Sequence, residues 1–152
     1  MKKTVLTLCA ISSIIGCLFC GCFGKQEYVC DAEAVKSIQI IKLDTYMENE
    51  YRYEYTVLCE MEDTKIFAES LNNLEQTVNM GEPGWLKTGY TVIRVDYLNG
   101  DYDLLYANAQ WFHRDGVSQN GYVFFDKNQF DTLISDYLKT KDTTENRNDS
   151  TF

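Results

Sequence analysis

Two turn dipeptides, Asn99-Gly100 and Asp115-Gly116, constrain the fold of this chain more than any other feature. Asn, Asp and Gly tolerate the positive φ angles that two-residue hairpin turns require, and both dipeptides lie between runs that alternate apolar and polar residues. They predict an antiparallel meander of three strands, at about 90–98, 101–114 and 117–125.

Two-residue turns also fix the register of this meander, so that Tyr97 is expected opposite Tyr102, and Asn108 opposite Val123. Because side chains alternate between the two faces of a sheet, the register assigns an apolar set to a core face. That set is Ile93, Val95, Tyr97, Tyr102, Leu104, Tyr106, Val123 and Phe125. The opposite face is also rich in aromatic residues. It is an exposed binding patch if no helix covers it, and the alternative is a sheet buried on both faces. The candidate binding face comprises Tyr90, Arg94, Trp111, His113, Tyr122 and Phe124.

The rest of the body reads as two strands and two helices. Alternation predicts strands at 36–44 and 51–61, and the period then changes to that of a helix ending near Asn79, with Asp63 as its N-cap. A second amphipathic helix is predicted to begin at Asp126. We therefore expect one α+β domain in the order ββαβββα, with two helices on a five-stranded antiparallel sheet.

The N-terminus has the form of an export signal. Lys2 and Lys3 precede an apolar run that extends to Phe23, and the run contains Ile14-Ile15-Gly16-Cys17 and Phe19-Cys20-Gly21-Cys22. These motifs resemble the lipobox of small bacterial lipoproteins of the Gram-positive type. The resemblance implies that a peptidase cuts before one cysteine and that its thiol carries a diacylglyceryl group.

Two cysteines compete for that lipid, since the motif favours Cys17 and the start of the polar tether favours Cys22. The predicted organisation is a signal peptide at 1–22, a tether at 23–34, the α+β domain at 35–139 and a disordered tail at 140–152. Alternatives are a plain secretory signal or an uncleaved membrane helix. All three place the body outside the cytoplasm, and the lipoprotein form anchors it to the cell membrane.

The composition of the body limits its partners and its cofactors. Without Lys2 and Lys3 the 14 basic residues become 12 against 23 acidic ones, a net charge of −11 that disfavours nucleic acid. Outside the cytoplasm Cys30 and Cys59 can form a disulfide, and the alternative is two buried free thiols. No metal site or cofactor is expected, because the body contains no CxxC motif and His113 is the only histidine.

The sequence contains no convincing catalytic set. Ser118 is expected opposite His113 across the second hairpin, but such a pair on a solvated rim is more often structural. The expected function is therefore non-enzymatic binding of a protein, peptide or glycan partner. The alternatives are a small envelope enzyme using His113 and a sensor or accessory subunit of a membrane complex.

Overall fold

A computed structural model describes residues 27–47, 52–78 and 84–148. Within these ranges the chain forms eight strands and two helices and is α+β, as the sequence predicts. The strands are β1 (Val35–Met47), β2 (Arg52–Glu60), β3 (Gln76–Val78), β4 (Thr91–Tyr97), β5 (Tyr102–Tyr106), β6 (Ala109–Arg114), β7 (Val117–Asn120) and β8 (Val123–Phe125). The helices are α1 (Thr64–Asn72) and α2 (Lys127–Asn148).

The main sheet has six antiparallel strands in the order β2-β1-β4-β5-β6-β7, and β3 pairs with β8 in a separate two-stranded sheet. The predicted five-stranded sheet in the order ββαβββα is therefore wrong. The predicted strand at 101–114 breaks at a turn formed by Ala107 and Asn108. The predicted strand at 117–125 breaks near Gly121, after which β8 leaves the main sheet for β3.

The first hairpin adopts a register one residue away from the predicted one. Asp96 lies opposite Tyr102, and the N–H of Tyr97 donates to the carbonyl of Asp101. Gly100 has a positive φ of 94° whereas Asn99 does not, which is the pattern of a three-residue loop closed by a glycine. The shift moves every side chain of β5 to the other face of the sheet.

The turn of the second hairpin is confirmed, but the predicted pair of Asn108 and Val123 is wrong, because Val123 pairs with Val78 in the separate sheet. Asp115 and Gly116 have φ angles of 51° and 77°, as a two-residue turn of this kind requires. His113 pairs with Ser118 and Arg114 with Val117, in the register that the turn predicts.

Both helices begin where the sequence predicts, and both end elsewhere. The Asp63 side chain accepts from two N–H groups of α1, and Asp126 accepts from the N–H of Gln129 at 2.9 Å. Helix α1 stops at Asn72, short of Asn79, and the side chain of Asn72 binds the backbone of Cys30. Helix α2 continues to Asn148, through a segment predicted to be disordered. No Gly or Pro interrupts it.

The sheet is apolar on both faces. On one face the helices cover the main core, which includes Ile38, Ile40, Phe67, Leu71, Ile93, Val95, Leu105, Phe130 and Ile134. On the other face a smaller core consists of Ile41, Leu43, Leu86, Val92, Leu104, Ala109 and Trp111. The register shift explains why Leu104 belongs to the smaller core and Leu105 to the main one.

The latter half of the predicted tether belongs to the folded domain. Tyr28 is 7% exposed and Cys30 is 1% exposed, because the Tyr28 ring stacks on Phe112 at 5.8 Å and the backbone of Cys30 bonds to Asn72. The predicted signal peptide, Cys17 and Cys22 lie outside the described residues.

Candidate functional site

One face of the main sheet carries the smaller core, and the part of this face beside that core forms a tyrosine–arginine surface. We define this surface as Tyr53, Tyr55, Arg94, Tyr102 and His113. Strands β2, β4, β5 and β6 each contribute to it. Since these side chains come from strands that are distant in sequence, only the folded sheet brings them together.

Arg94 lies at the centre of this surface. Its guanidinium carbon is 5.9 Å from the ring centre of Tyr53, 5.4 Å from that of Tyr55 and 4.7 Å from that of Tyr102. Its Nε donates to Asp96 at 2.8 Å, a second nitrogen completes a bidentate pair with Asp96, and a third donates to the Tyr53 hydroxyl. The arginine is thus held in one orientation by a carboxylate and by aromatic rings.

Tyr102 extends the stack from Arg94 to the histidine. The rings of Tyr102 and His113 are parallel within 14° and 4.9 Å apart. Nδ1 of His113 lies 2.9 Å from the hydroxyl of Ser118, so the predicted proximity of these two residues is present. A hydrolytic triad also needs a carboxylate on the other ring nitrogen, and no described residue supplies one.

Two members of this surface, Arg94 and Tyr53, each keep a single charge state at neutral pH. Burial lowers the pKa of Arg94, but Asp96 and the tyrosines outweigh burial and raise it overall. Burial raises the pKa of Tyr53 well above its usual value, so its hydroxyl stays protonated. The surface therefore offers flat rings, hydroxyl groups and a neutralised cation, which suits binding better than proton transfer.

The structure does not bring the six residues of the predicted binding face together. Arg94 and His113 belong to the tyrosine–arginine surface. Trp111 is 3% exposed, since it packs in the smaller core edge-on to Tyr46 at 5.6 Å. Phe124 is 8% exposed, in β8. Tyr90 stacks on Tyr106 at 4.5 Å, and Tyr122 is 49% exposed beside a different groove.

Sequence reasoning missed the three tyrosines of the surface. Tyr53 and Tyr55 point to the same side of β2, as predicted. The residues around them in the sequence do not indicate that they lie next to side chains of β4 and β5 in the folded sheet. A two-residue turn at the first hairpin predicts Tyr102 on the core face, and this prediction is wrong. A three-residue loop at the same dipeptide places Tyr102 opposite Asp96 and beside Arg94.

A buried charge on the main-core side forms a second polar cluster. Asp103 is fully buried, and its Oδ2 accepts from the hydroxyls of Tyr28 at 2.9 Å and Tyr97 at 2.7 Å and from Arg114 at 2.6 Å. Its Oδ1 accepts from no described group. Burial raises the pKa of Asp103, and the hydroxyls and Arg114 offset this only in part.

Among the described residues, no disulfide joins the two cysteines of the body. Cys30 and Cys59 are both buried thiols, which matches the alternative to a disulfide. Cys30 is fixed by Asn72, whereas the Cys59 thiol donates to the carbonyl of Glu60 at 3.8 Å. Burial raises the pKa of Cys30 to about 11, so this thiol is protonated and unreactive at neutral pH.

Among the described residues, no group of three or more His, Cys, Asp or Glu side chains is arranged to hold a metal ion. In the same part of the chain no helix is both long and apolar enough to span a bilayer. No family model, no curated protein and no solved structure matches the chain.

Proposed function

We propose that this chain is a lipid-anchored extracytoplasmic protein that binds a protein or peptide partner through the tyrosine–arginine surface. The observation that carries this proposal is the fixed stack of Arg94 between Tyr53, Tyr55 and Tyr102, on a part of the sheet that neither described helix covers. The lipobox-like N-terminus supports the location, and the surface supports the binding role.

The chemistry of this surface is that of a protein-binding site. Tyr and Arg are enriched where interfaces bind most strongly, because each offers a large contact area together with a hydrogen-bonding group. Tyrosine also loses little conformational entropy on binding, and Arg94 is already immobilised by Asp96. Tyr55 and Val57 extend the surface along β2 with 39% and 43% of their area exposed.

The bond between His113 and Ser118 favours the alternative of an envelope enzyme using His113. The stacking on Tyr102 gives this histidine a structural role as well. Loss of partner binding in the His113→Ala protein, together with no detectable hydrolytic activity in the wild-type protein, would assign His113 to the binding surface.

The binding surface can be tested by cross-linking in cells. A photoreactive residue at position 55 is expected to give a cross-linked product that Tyr102→Ala or Arg94→Met reduces about thirtyfold, the size of an interface hot spot. Tyr122→Ala is the matched control, since Tyr122 is an exposed tyrosine that lines a different groove. Equal yields of cross-linked product from the wild-type and Tyr102→Ala proteins would contradict the proposal. A product that contains carbohydrate would show that the partner is a glycan and not a protein.

The anchor has its own test. Mass spectrometry of the protein extracted from membranes is expected to show an N-terminal cysteine carrying a diacylglyceryl group, at position 17 or 22. Cys17→Ser and Cys22→Ser then identify the site, because only one of them should abolish processing. An unmodified N-terminus in the wild-type protein is the result that refutes the lipoprotein assignment without affecting the binding surface.

A further inference from the structure

A groove of about 310 Å³ lies on the main-core side of the sheet, between the segment 27–29 and the bend that joins β7 to β8. This volume is at the lower end of the range for small-molecule sites, and it suits a ligand the size of one amino acid. Strands β6 and β7 form its floor, so the groove is separate from the tyrosine–arginine surface. Its lining includes Tyr28, Phe112, Arg114, Gln119, Asn120 and Tyr122.

Among the described residues that line the groove, Arg114 is the only cation. One of its nitrogens donates to Asp103 at 2.6 Å, and the guanidinium carbon lies 4.3 Å from the ring centre of Tyr97. This bond uses one of the five N–H donors of the guanidinium, and 35% of the side chain remains exposed. A fixed, partly exposed arginine is well suited to bidentate binding of a carboxylate.

The walls of the groove are apolar and aromatic. The parallel rings of Tyr28 and Phe112 form one side, while Val29 and Tyr122 also line the groove and are 66% and 49% exposed. Exposed apolar side chains concentrated around a concave site mark a place where a ligand's apolar part is buried. The ligand must therefore combine a negative charge with an aromatic or aliphatic group.

The charges of the site favour a carboxylate over a phosphate. Asp103 neutralises much of the charge of Arg114, the acidic residue Glu27 also lines the groove, and the whole protein has a net charge of −9. A phosphate dianion would need further cations, whereas a monoanion needs only one. Next to the arginine, the amide side chains of Gln119 and Asn120 can hydrogen-bond a peptide group.

We propose that this groove binds the carboxylate of an acylated aromatic or aliphatic amino acid, which is the chemistry of a peptide C-terminus. Arg114 holds the carboxylate, the amides of β7 hold the acyl-amide group, and the side chain of the ligand lies between Tyr28, Phe112 and Tyr122. This site goes beyond the binding surface proposed above, because it is on the other face of the sheet and uses different residues.

The test is a titration of the full-length protein in a maltoside detergent, followed by ligand-observed NMR. N-acetyl-L-phenylalanine is expected to bind at least tenfold more tightly than N-acetyl-L-phenylalaninamide, which lacks the charge. The tripeptide N-acetyl-Gly-Gly-Phe distinguishes the two sources of the same chemistry. Tighter binding of the tripeptide identifies a peptide terminus, whereas binding of the single amino acid alone identifies a free acyl amino acid.

Variants show whether the groove is the site of binding. Arg114→Lys keeps the charge but loses the bidentate geometry, and it should weaken binding of the acid about tenfold. Tyr122→Ala should weaken binding of the acid severalfold. Because Tyr122 takes no part in the buried ion pair, this variant still tests the groove if Arg114→Lys impairs folding. Ile66→Ala, at an exposed position of α1 outside both proposed sites, should leave binding of the acid unchanged. Equal affinities for acid and amide, or equal effects of Tyr122→Ala and Ile66→Ala, would overturn the proposal.

Discussion

Arg114→Met is expected to lower the free energy of unfolding by about 2–4 kcal/mol at pH 8, because it leaves the fully buried Asp103 without its cation. This loss of stability is smaller than the loss expected for a wholly buried ion pair. The reason is that 35% of the Arg114 side chain is exposed, so solvent screens part of its attraction to Asp103. Equilibrium denaturation of the full-length protein, followed by tryptophan fluorescence, measures the change.

The loss should shrink as the pH falls. Burial already raises the pKa of Asp103, and removing Arg114 raises it further, since the guanidinium lowers it. A carboxyl whose folded-state pKa is above its unfolded value favours the folded state once it is protonated, so the variant regains stability as the pH falls from 8 towards that raised pKa.

The control for this experiment removes the charge of Asp103 instead. Asp103→Asn should make a second Arg114→Met substitution much less damaging, because no buried charge is then left unpaired. A pH-independent loss, or equal effects of Arg114→Met in both backgrounds, would show that the arginine acts through packing alone.

Phe130→Ala is expected to lower the free energy of unfolding by about 3–5 kcal/mol. Phe130 is fully buried, its ring stacks on Phe125 at 5.6 Å, and it meets Tyr106 edge-on at 6.1 Å. It therefore joins α2 to β8 and to the main sheet, and its removal leaves a cavity that two rigid elements cannot fill.

Two substitutions calibrate this result. Phe130→Leu keeps most of the volume and should cost about 1–1.5 kcal/mol. Ile66→Ala changes a side chain that is 56% exposed on α1, and its effect should stay within about 0.5 kcal/mol. If Phe130→Ala were as mild as Ile66→Ala, α2 would not be packed on the core as described.

The two hairpins show how far local sequence reasoning reaches. The second was predicted with its register, because Asp115 and Gly116 alone satisfy a turn with two positive φ angles. The first contains an equally strong dipeptide, but Asn-Gly also fits a three-residue loop. Only the three-residue loop places Asp103 on the same face of the sheet as Tyr97 and Arg114. Both of these side chains donate hydrogen bonds to the Asp103 carboxylate on the main-core side.

The break in the predicted strand at 101–114 had no local signal that decided it. Ala107 and Asn108 form a turn without Gly or Pro, at the point where Gly84 bridges Ala109 from a different part of the chain. A side chain on Gly84 would meet the carbonyl oxygen of Asn108 at 2.1 Å, so this close approach depends on glycine. A contact between residues so far apart in sequence cannot be inferred from either segment by itself.

The sequence by itself determined the α+β class, the starts of both helices and the second hairpin, because each depends on side chains within a few residues of one another. Tertiary structure decided the number of strands, the register of β5 and the residues of the tyrosine–arginine surface. It buried Trp111 and placed Tyr102 beside Arg94. The reason is that a one-residue shift is almost neutral for a loop, yet it reverses an entire strand, and only burial of distant side chains selects between the two registers.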